Sequence, residues 1–174
     1  MTVPVLAIDN LHVRFRTADG VIEAVKGASL AVAEGETLAI VGESGSGKSQ
    51  LVMAAMGLLA KNGEVEGSVE FEGEEILGLA ARDLNRIRGR KISMIFQEPM
   101  TSLDPLYTIG NQLIEPIRRH QGLSAHEARA RAIALLTLVR IPDPETRLRS
   151  YPHELSGGQR QRVMIAMAIA NNPQ

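Results

Sequence analysis

Cysteine is absent from the 174 residues. That excludes disulfides and thiolate metal sites and is compatible with a reducing compartment. Tryptophan is absent too, and three Phe and two Tyr are the only aromatic residues, so a core role competes with any other use of each ring. No apolar run approaches the ~18 residues of a membrane span, so any link to a membrane is expected to go through a partner. The opening MTVPVLAIDNLHVRF lacks the basic region, apolar core and small-residue cleavage site of a signal peptide. There is no excess of charge: 19 basic and 20 acidic residues give a net −1. No global basic field therefore announces nucleic acid or anionic lipid. Internal repeats and low-complexity tracts are also missing.

What is present is a globular composition, 44% hydrophobic and 22% charged, at a length that fits one domain or slightly less and can bury a core. Residues 5–16 and 21–32 alternate apolar and polar around Asp19-Gly20, which predicts two antiparallel strands joined at a turn. Thr37–Val41 (TLAIV) is a short apolar run, as expected of a strand buried on both faces. A glycine-rich loop follows, then an apolar helix from Lys48 to about Leu59, broken by Asn62-Gly63. Residues 65–72 alternate again. Leu79–Arg90 reads as a helix and Ile92–Phe96 as a short buried strand.

Beyond Gln97 the character changes to a loop and then helices. Ser124 and Glu127 have capping-box spacing, with Ala128, Ala132, Leu135, Leu136 and Val139 on one helical face behind them. Pro142 and Pro144 end that helix. Ser156 and Gln159 repeat the capping spacing ahead of a stripe at Val163, Ala166, Met167 and Ala170, and Asn171-Asn172-Pro173 closes it. The division expected is 1–97 as an α/β core with an antiparallel β subdomain, 98–155 as a helical insertion, and 156–174 as a helix returning to the core.

Gly42-Glu43-Ser44-Gly45-Ser46-Gly47-Lys48-Ser49 fits G-x-x-x-x-G-K-[ST], between an apolar strand and an apolar helix. Gly42, Gly45 and Gly47 are expected to adopt positive φ and bring N–H groups up to phosphate oxygens. The helix from Lys48 aims its positive end at the same anion. Lys48 supplies a cation for the β- and γ-phosphates, and the Ser49 hydroxyl can ligate Mg²⁺. Nucleotide binding is the expectation, with several classes of P-loop enzyme open at this point.

Leu155-Ser156-Gly157-Gly158-Gln159 narrows the class. As chemistry it is a second anion site: Ser156 caps a helix, two glycines leave its N–H groups uncovered, and Gln159 adds an amide. As text it resembles the signature of ABC ATPases. The resemblance implies a P-loop NTPase of ABC type, α/β, with a mixed central sheet, an N-terminal antiparallel β subdomain and a helical insertion. It implies ATP and Mg²⁺ as ligands. It also implies a head-to-tail dimer with a second ABC ATPase subunit, identical or not, in which Ser156, Gly157, Gly158 and Gln159 face the partner's ATP. Gln97, at the end of KISMIF, resembles the Q-loop glutamine, which touches Mg²⁺ and the attacking water. Phe15 resembles the A-loop aromatic that stacks on adenine.

The stretches GESGSGKSQ, GEEIL, KISMIFQEPMTSLDPLYTIGNQL and YPHELSGGQRQRVMIAMAIANNP resemble the ATPase subunits of bacterial oligopeptide, dipeptide and nickel importers. This implies a peripheral subunit on the cytoplasmic face of the plasma membrane. Its implied neighbours are permease subunits, docked at about Met100–Ile117, and indirectly a solute-binding protein; nucleic acid is not expected. The Asp-Glu strand that carries the general base, the D-loop and the switch histidine are expected beyond Gln174, since His120, His126 and His153 do not occupy that late position. The sequence therefore reads as an N-terminal portion, of low solubility or partly unfolded in isolation. The alternatives are a non-hydrolysing ATP-binding module and an ABC ATPase acting on DNA or ribosomes. Against the latter stand the short insertion, the absence of Cys and the balanced charge. The solute is not legible.

Overall fold

Alternation along the first thirty residues becomes a sheet in the computed structural model, which describes residues 3–96 and 102–174. They fall into two units, Met1–Leu84 and Asn85–Gln174. In the first, β1 (Leu6–Thr17) and β2 (Gly20–Val32) pair antiparallel from Leu6↔Val32 to Thr17↔Gly20, as the Asp19-Gly20 signal predicts. The Thr17 hydroxyl donates to the Gly20 carbonyl at 2.8 Å and closes the turn. β3 (Gly63–Phe71) pairs with the other edge of β1, and the two-residue β4 (Glu74–Glu75) follows, giving the antiparallel order β2-β1-β3-β4.

One face of this sheet is apolar. Ile8, Leu11, Val13, Val25, Val69 and Phe71 are buried, together with Leu51, Ala54 and Ala55 of α1 (Lys48–Ala55), which packs on β1 and β2. Each fully buried aliphatic side chain contributes roughly 1.5–3 kcal/mol, and Leu11 and Val13 have no exposed surface at all. The opposite face is ionic. Arg14 donates to Glu23 of β2 at 3.3 Å and to Glu66 of β3 at 3.1 Å, and Arg16 reaches Glu64 at 2.7 Å. The two carboxylates hold the Arg14 guanidinium above even its ordinary high pKa, the Glu23 hydrogen bond foremost.

α1 stops four residues earlier than its sequence suggests. Gly57 takes φ 61° and the Leu58 N–H bonds back to the Met53 carbonyl at 2.8 Å, the glycine-terminated ending that satisfies the last carbonyls of a helix. α2 is likewise shorter, Ala81–Ile87.

Two strand expectations are corrected. Thr37–Val41 forms no ladder, and Leu38, Ile40 and Val41 are exposed, Val41 to 91%. Ile92–Phe96 makes a single bridge, Arg88↔Ile92, and Ile95 and Phe96 are exposed. Apolarity states that a segment is suited to burial, but a strand also requires a neighbour for its N–H and C=O groups. Among the described residues the first run has none and the second has one at Ile92 alone.

The second unit is helical. α3 (Ile109–Gln121) starts at Thr108, whose hydroxyl accepts from the Asn111 N–H at 3.3 Å, and ends at Gly122 with φ 68°. α4 (Ala125–Leu138) carries the expected capping box: Glu127 N–H to Ser124 Oγ at 3.3 Å and Ser124 N–H to Glu127 Oε2 at 2.9 Å. Pro144 stands at the first position of α5 (Pro144–Arg147), where its missing N–H costs nothing. A 3₁₀ turn at Pro152–Glu154 leads to α6 (Gly157–Ala168). The core joins Ile109, Leu113 and Ile117 of α3 to Ala128, Ala132, Leu135 and Leu136 of α4 and Val163 and Ala166 of α6. The predicted stripes are thus buried, with Val139 and Met167 at their edges. Among the described residues no helix is long and apolar enough to cross a membrane.

Candidate functional site

The loop Gly42–Gly47 enters α1 through an N-cap with no side-chain hydrogen bond: Gly47, at φ 90°. α3, α4 and α6 all have a hydroxyl accepting an N–H at the same position, from Thr108, Ser124 and Ser156. α1 therefore presents its first N–H groups without a side chain of its own over them. Such a terminus favours an anion through both donors and dipole.

Glycine is required here for different reasons at different positions. Gly45 takes φ 81° in open space. At Gly47 a Cβ would run into the Ala24 carbonyl oxygen. Gly42 departs from expectation: its φ is not in the left-handed region, and its constraint is steric, since a Cβ would lie 2.8 Å from Ser46 Oγ. The loop closes on itself through Ser46 N–H to the Glu43 carbonyl at 3.2 Å.

Lys48 folds into this loop. Its ammonium donates to the carbonyls of Gly42 at 2.8 Å and Glu43 at 2.6 Å and to Ser46 Oγ at 3.2 Å. A flexible cation is thereby held over the loop by weak carbonyl acceptors, which a phosphate oxygen can replace with a charge-assisted bond. Glu43, Ser44 and Ser46 are exposed along the rim, and Ser49 exposes its side in the first turn of α1. Among the described residues no group of three or more His, Cys, Asp or Glu could hold a metal. A hydroxyl beside a phosphate cradle instead suits Mg²⁺, which is usually held by one or two protein oxygens plus substrate phosphates.

Phe15 is half-buried on β1, opposite Ile22 and Gly63, and its ring edge would lie 2.9 Å from a Cβ at Gly63. Gln97 lies outside the described residues. On α6, Ser156 Oγ accepts from the Gln159 N–H at 3.3 Å, and Gln159 Oε1 accepts from the Ser156 N–H at 3.0 Å. These bonds consume acceptors and leave the Ser156 hydroxyl proton and the Gln159 amide as donors. A Cβ on Gly157 or Gly158 would meet nothing within 4 Å, so this helix end is open to an approaching anion.

Within Met100–Ile117, Met100 and Thr101 lie outside the described residues. The rest shows how its tip is built. Gln112 donates to the carbonyls of Asp104 and Tyr107, both at 2.9 Å, and its Oε1 accepts from the Asp104 N–H at 2.9 Å. That bracing leaves Leu106 80% and Tyr107 54% exposed.

Sequence reasoning missed Ala24. The β1–β2 register passes from Val13↔Val25 to Arg14↔Glu23 and skips it, so Ala24 is a bulge residue whose carbonyl turns toward Gly47. A bulge leaves no composition signal of its own.

The family model described as ABC transporter matches residues 25–174. The chain is 54% identical over 170 residues to the oligopeptide transport ATP-binding protein OppD of Haemophilus influenzae, covering 98% of this chain and 53% of that one. It is 51% identical over 168 residues to OppD of Salmonella typhimurium, covering 97% of this chain and 50% of that protein. It thus spans about half the length of these relatives. Among solved structures, a dimeric ATP-binding cassette in a post-hydrolysis state, bound to ADP and Pi, superposes with a TM-score of 0.84 at 32% identity, over 97% of this chain and 70% of that one. The chain belongs to the ABC transporter family.

Proposed function

We propose that this chain is the nucleotide-binding portion of an ATPase subunit that energises a peptide-type importer. The observation that carries the reading is the entry to α1, a helix start with no side-chain cap, sealed by Gly47 against the Ala24 carbonyl and overhung by the Lys48 ammonium. Its design suits a polyphosphate. Gly42–Ser49 would cradle the phosphates, Lys48 would neutralise the β- and γ-oxygens, and Ser49, with Gln97, would hold Mg²⁺. When bound, that ion supplies charge neutralisation of the phosphate oxygens and a template for their geometry. Phe15 would carry the adenine ring.

Donors left free at Ser156, Gly157, Gly158 and Gln159 suit a second phosphate contact, made on the ATP of a partner ATPase subunit in a head-to-tail dimer. Lys48 and that signature would together stabilise charge on the transferring group as water attacks in line. We assign no carboxylate of this chain as the general base. OppD relatives in two organisms support peptides as the cargo class. The division 1–97, 98–155 and 156–174 belongs to the same proposal. So does docking of permease subunits, on the cytoplasmic face of the membrane, through the braced tip at Leu106 and Tyr107.

The test is nucleotide binding and turnover by the intact subunit assembled with its permease. MgATP binding weakened about ten- to a hundredfold in Lys48→Ala, and transport lost in Ser156→Ala with binding kept, are expected. Unchanged MgATP affinity in Lys48→Ala would overturn the reading.

A further inference from the structure

The chain leaving α6 is held from two sides. Gln121, the last residue of α3, donates from Nε2 to the Ala170 carbonyl at 3.0 Å and to Asn171 Oδ1 at 2.8 Å. Arg131 of α4 donates to Asn172 Oδ1 at 2.8 Å. On the other side, Asn171 Nδ2 donates to the Gly89 carbonyl at 2.7 Å, and the Gln174 N–H to the Lys91 carbonyl at 2.9 Å. The Gly89 N–H in turn donates to the Ile92 carbonyl at 2.8 Å.

Both side-chain amides fit only one way round. A backbone carbonyl only accepts, so Gln121 must turn its nitrogen to Ala170, and Asn171 its nitrogen to Gly89. Asn171 Oδ1 then faces Gln121 as an acceptor. One ordinary reason for a half-buried amide such as Asn171 is to satisfy a backbone group that water reaches poorly. That accounts for the bond to Gly89. It does not account for Gln121, an exposed side chain that water could serve equally well and whose immobilisation on Asn171 costs rotamer entropy.

α3 explains what Gln121 is attached to. Ahead of its first residue stands the Leu106–Tyr107 tip proposed above for permease docking. Gln121 lies at the other end, 13 residues and about 20 Å along. Pro116 inside α3 forgoes one N–H bond, but Leu113 and Ile117 on either side of it are buried in one core, so the two ends move together. Beyond Gly89 and Ile92 the sequence runs on to Gln97. We infer, resting on the docking reading, that Asn171 is a positioning residue. With Gln121 it passes a displacement of α3, made by the permease at the tip, to Gly89 and so to the run that precedes Gln97.

The experiment uses the intact subunit assembled with its permease. MgATP turnover is compared with and without the solute-binding protein loaded from a mixed peptide digest. Asn171→Asp keeps the acceptor for Gln121 and loses the donor to Gly89. Gln121→Leu loses the donor to Asn171, and Gln121→Lys keeps one of similar reach. Stimulation of turnover should fall about fivefold or more in Asn171→Asp and in Gln121→Leu, and should survive in Gln121→Lys. The Asn171→Asp, Gln121→Leu double variant should be no worse than either alone, since both break one connection. MgATP affinity should be kept throughout, and with thermal unfolding it reports that each variant is folded. Gln121 is exposed, so its two variants decide the matter if Asn171→Asp does not fold. Unchanged stimulation in Gln121→Leu overturns the inference and leaves the importer reading standing. So does a loss that Gln121→Lys shares, or one matched by an equal loss of MgATP affinity, either of which reduces the network to a brace. A parent complex that does not respond to the loaded binding protein sinks the importer reading, and this inference with it.

Discussion

Gly47 lies directly against the carbonyl of Ala24, with no room for a side chain between them. The contact exists because the β1–β2 register skips Ala24 and turns its backbone toward the loop. A sheet irregularity thus sets the height at which the phosphate loop enters α1.

Gly47→Ala is therefore expected to be worse than Gly45→Ala. Both positions have left-handed φ, 90° and 81°, but a Cβ at Gly45 meets nothing within 4 Å. Gly45→Ala should cost about 1–2 kcal/mol from backbone strain alone. Gly47→Ala adds a backbone collision and should also lower nucleotide affinity. Urea unfolding and nucleotide titration of the two variants measure the difference.

Lys48→Ala should separate binding from stability. The ammonium's partners are two loop carbonyls and one hydroxyl, none part of a core, so stability should change by no more than about 0.5 kcal/mol. Losing a charge-assisted bond worth about 1.5–3 kcal/mol should weaken nucleotide binding by about ten- to a hundredfold. Calorimetric titration and thermal unfolding on one preparation read both.

Ser124 and Ser156 make a matched pair, each capping its helix with a hydroxyl 3.3 Å from the N–H three residues on. Either change to Ala should cost about 1 kcal/mol of stability. Only Ser156→Ala should reduce ATP turnover of the assembled dimer. Equal turnover in both variants would reduce Ser156 to a cap.

Acid should loosen two places at once. Hydrogen bonds from Ser124, chiefly its side chain, hold Glu127 below its ordinary range. At Glu75, burial pushes the pKa up, but hydrogen bonds from Ser68 and from the N–H groups of Leu77, Val69 and Ile76 outweigh it and leave it lowered. A carboxylate depressed in the folded state binds fewer protons there than when unfolded, so its stabilisation is complete above the unfolded pKa. It is lost as pH falls below about 4.5 and through the folded value. Unfolding measured against pH should show that decline, and Glu75→Gln with Glu127→Gln should flatten it.

Leu106→Ala and Tyr107→Ala should leave stability within about 0.5 kcal/mol of the parent, because both side chains are exposed. Co-purification with the permease subunits should fall. Unchanged association would remove this tip from the docking surface.

Legibility from sequence followed the range of the interactions. The hairpin at Asp19-Gly20, the boxes at Ser124 and Ser156 and the stripe from Ala128 to Leu136 are set within a few residues, and they stand where the text placed them. The phosphate loop was legible because its constraint is written in glycines. Thr37–Val41 and Ile92–Phe96 were not, since a strand is defined by a neighbour that its own letters do not name. Ala24 was hidden for a related reason: a bulge is a mismatch between two strands. The Arg14–Glu23–Glu66 set could have been found from the alternation of charge along β1 and β3, because cross-strand partners of opposite sign lie on one face.

That ionic set has a consequence for how the chain arrives at its shape. Arg14 bridges strands on both sides of β1, and its neighbour Phe15 points to the other face. A slip of one residue in either pairing would exchange the two faces, moving Arg14 toward the apolar layer and the ring out of place. The guanidinium between two carboxylates therefore acts as a proofreader of assembly, discriminating against misaligned sheets before any ligand is met. Its contribution would be seen in the yield of correctly refolded protein more than in the stability of the finished one.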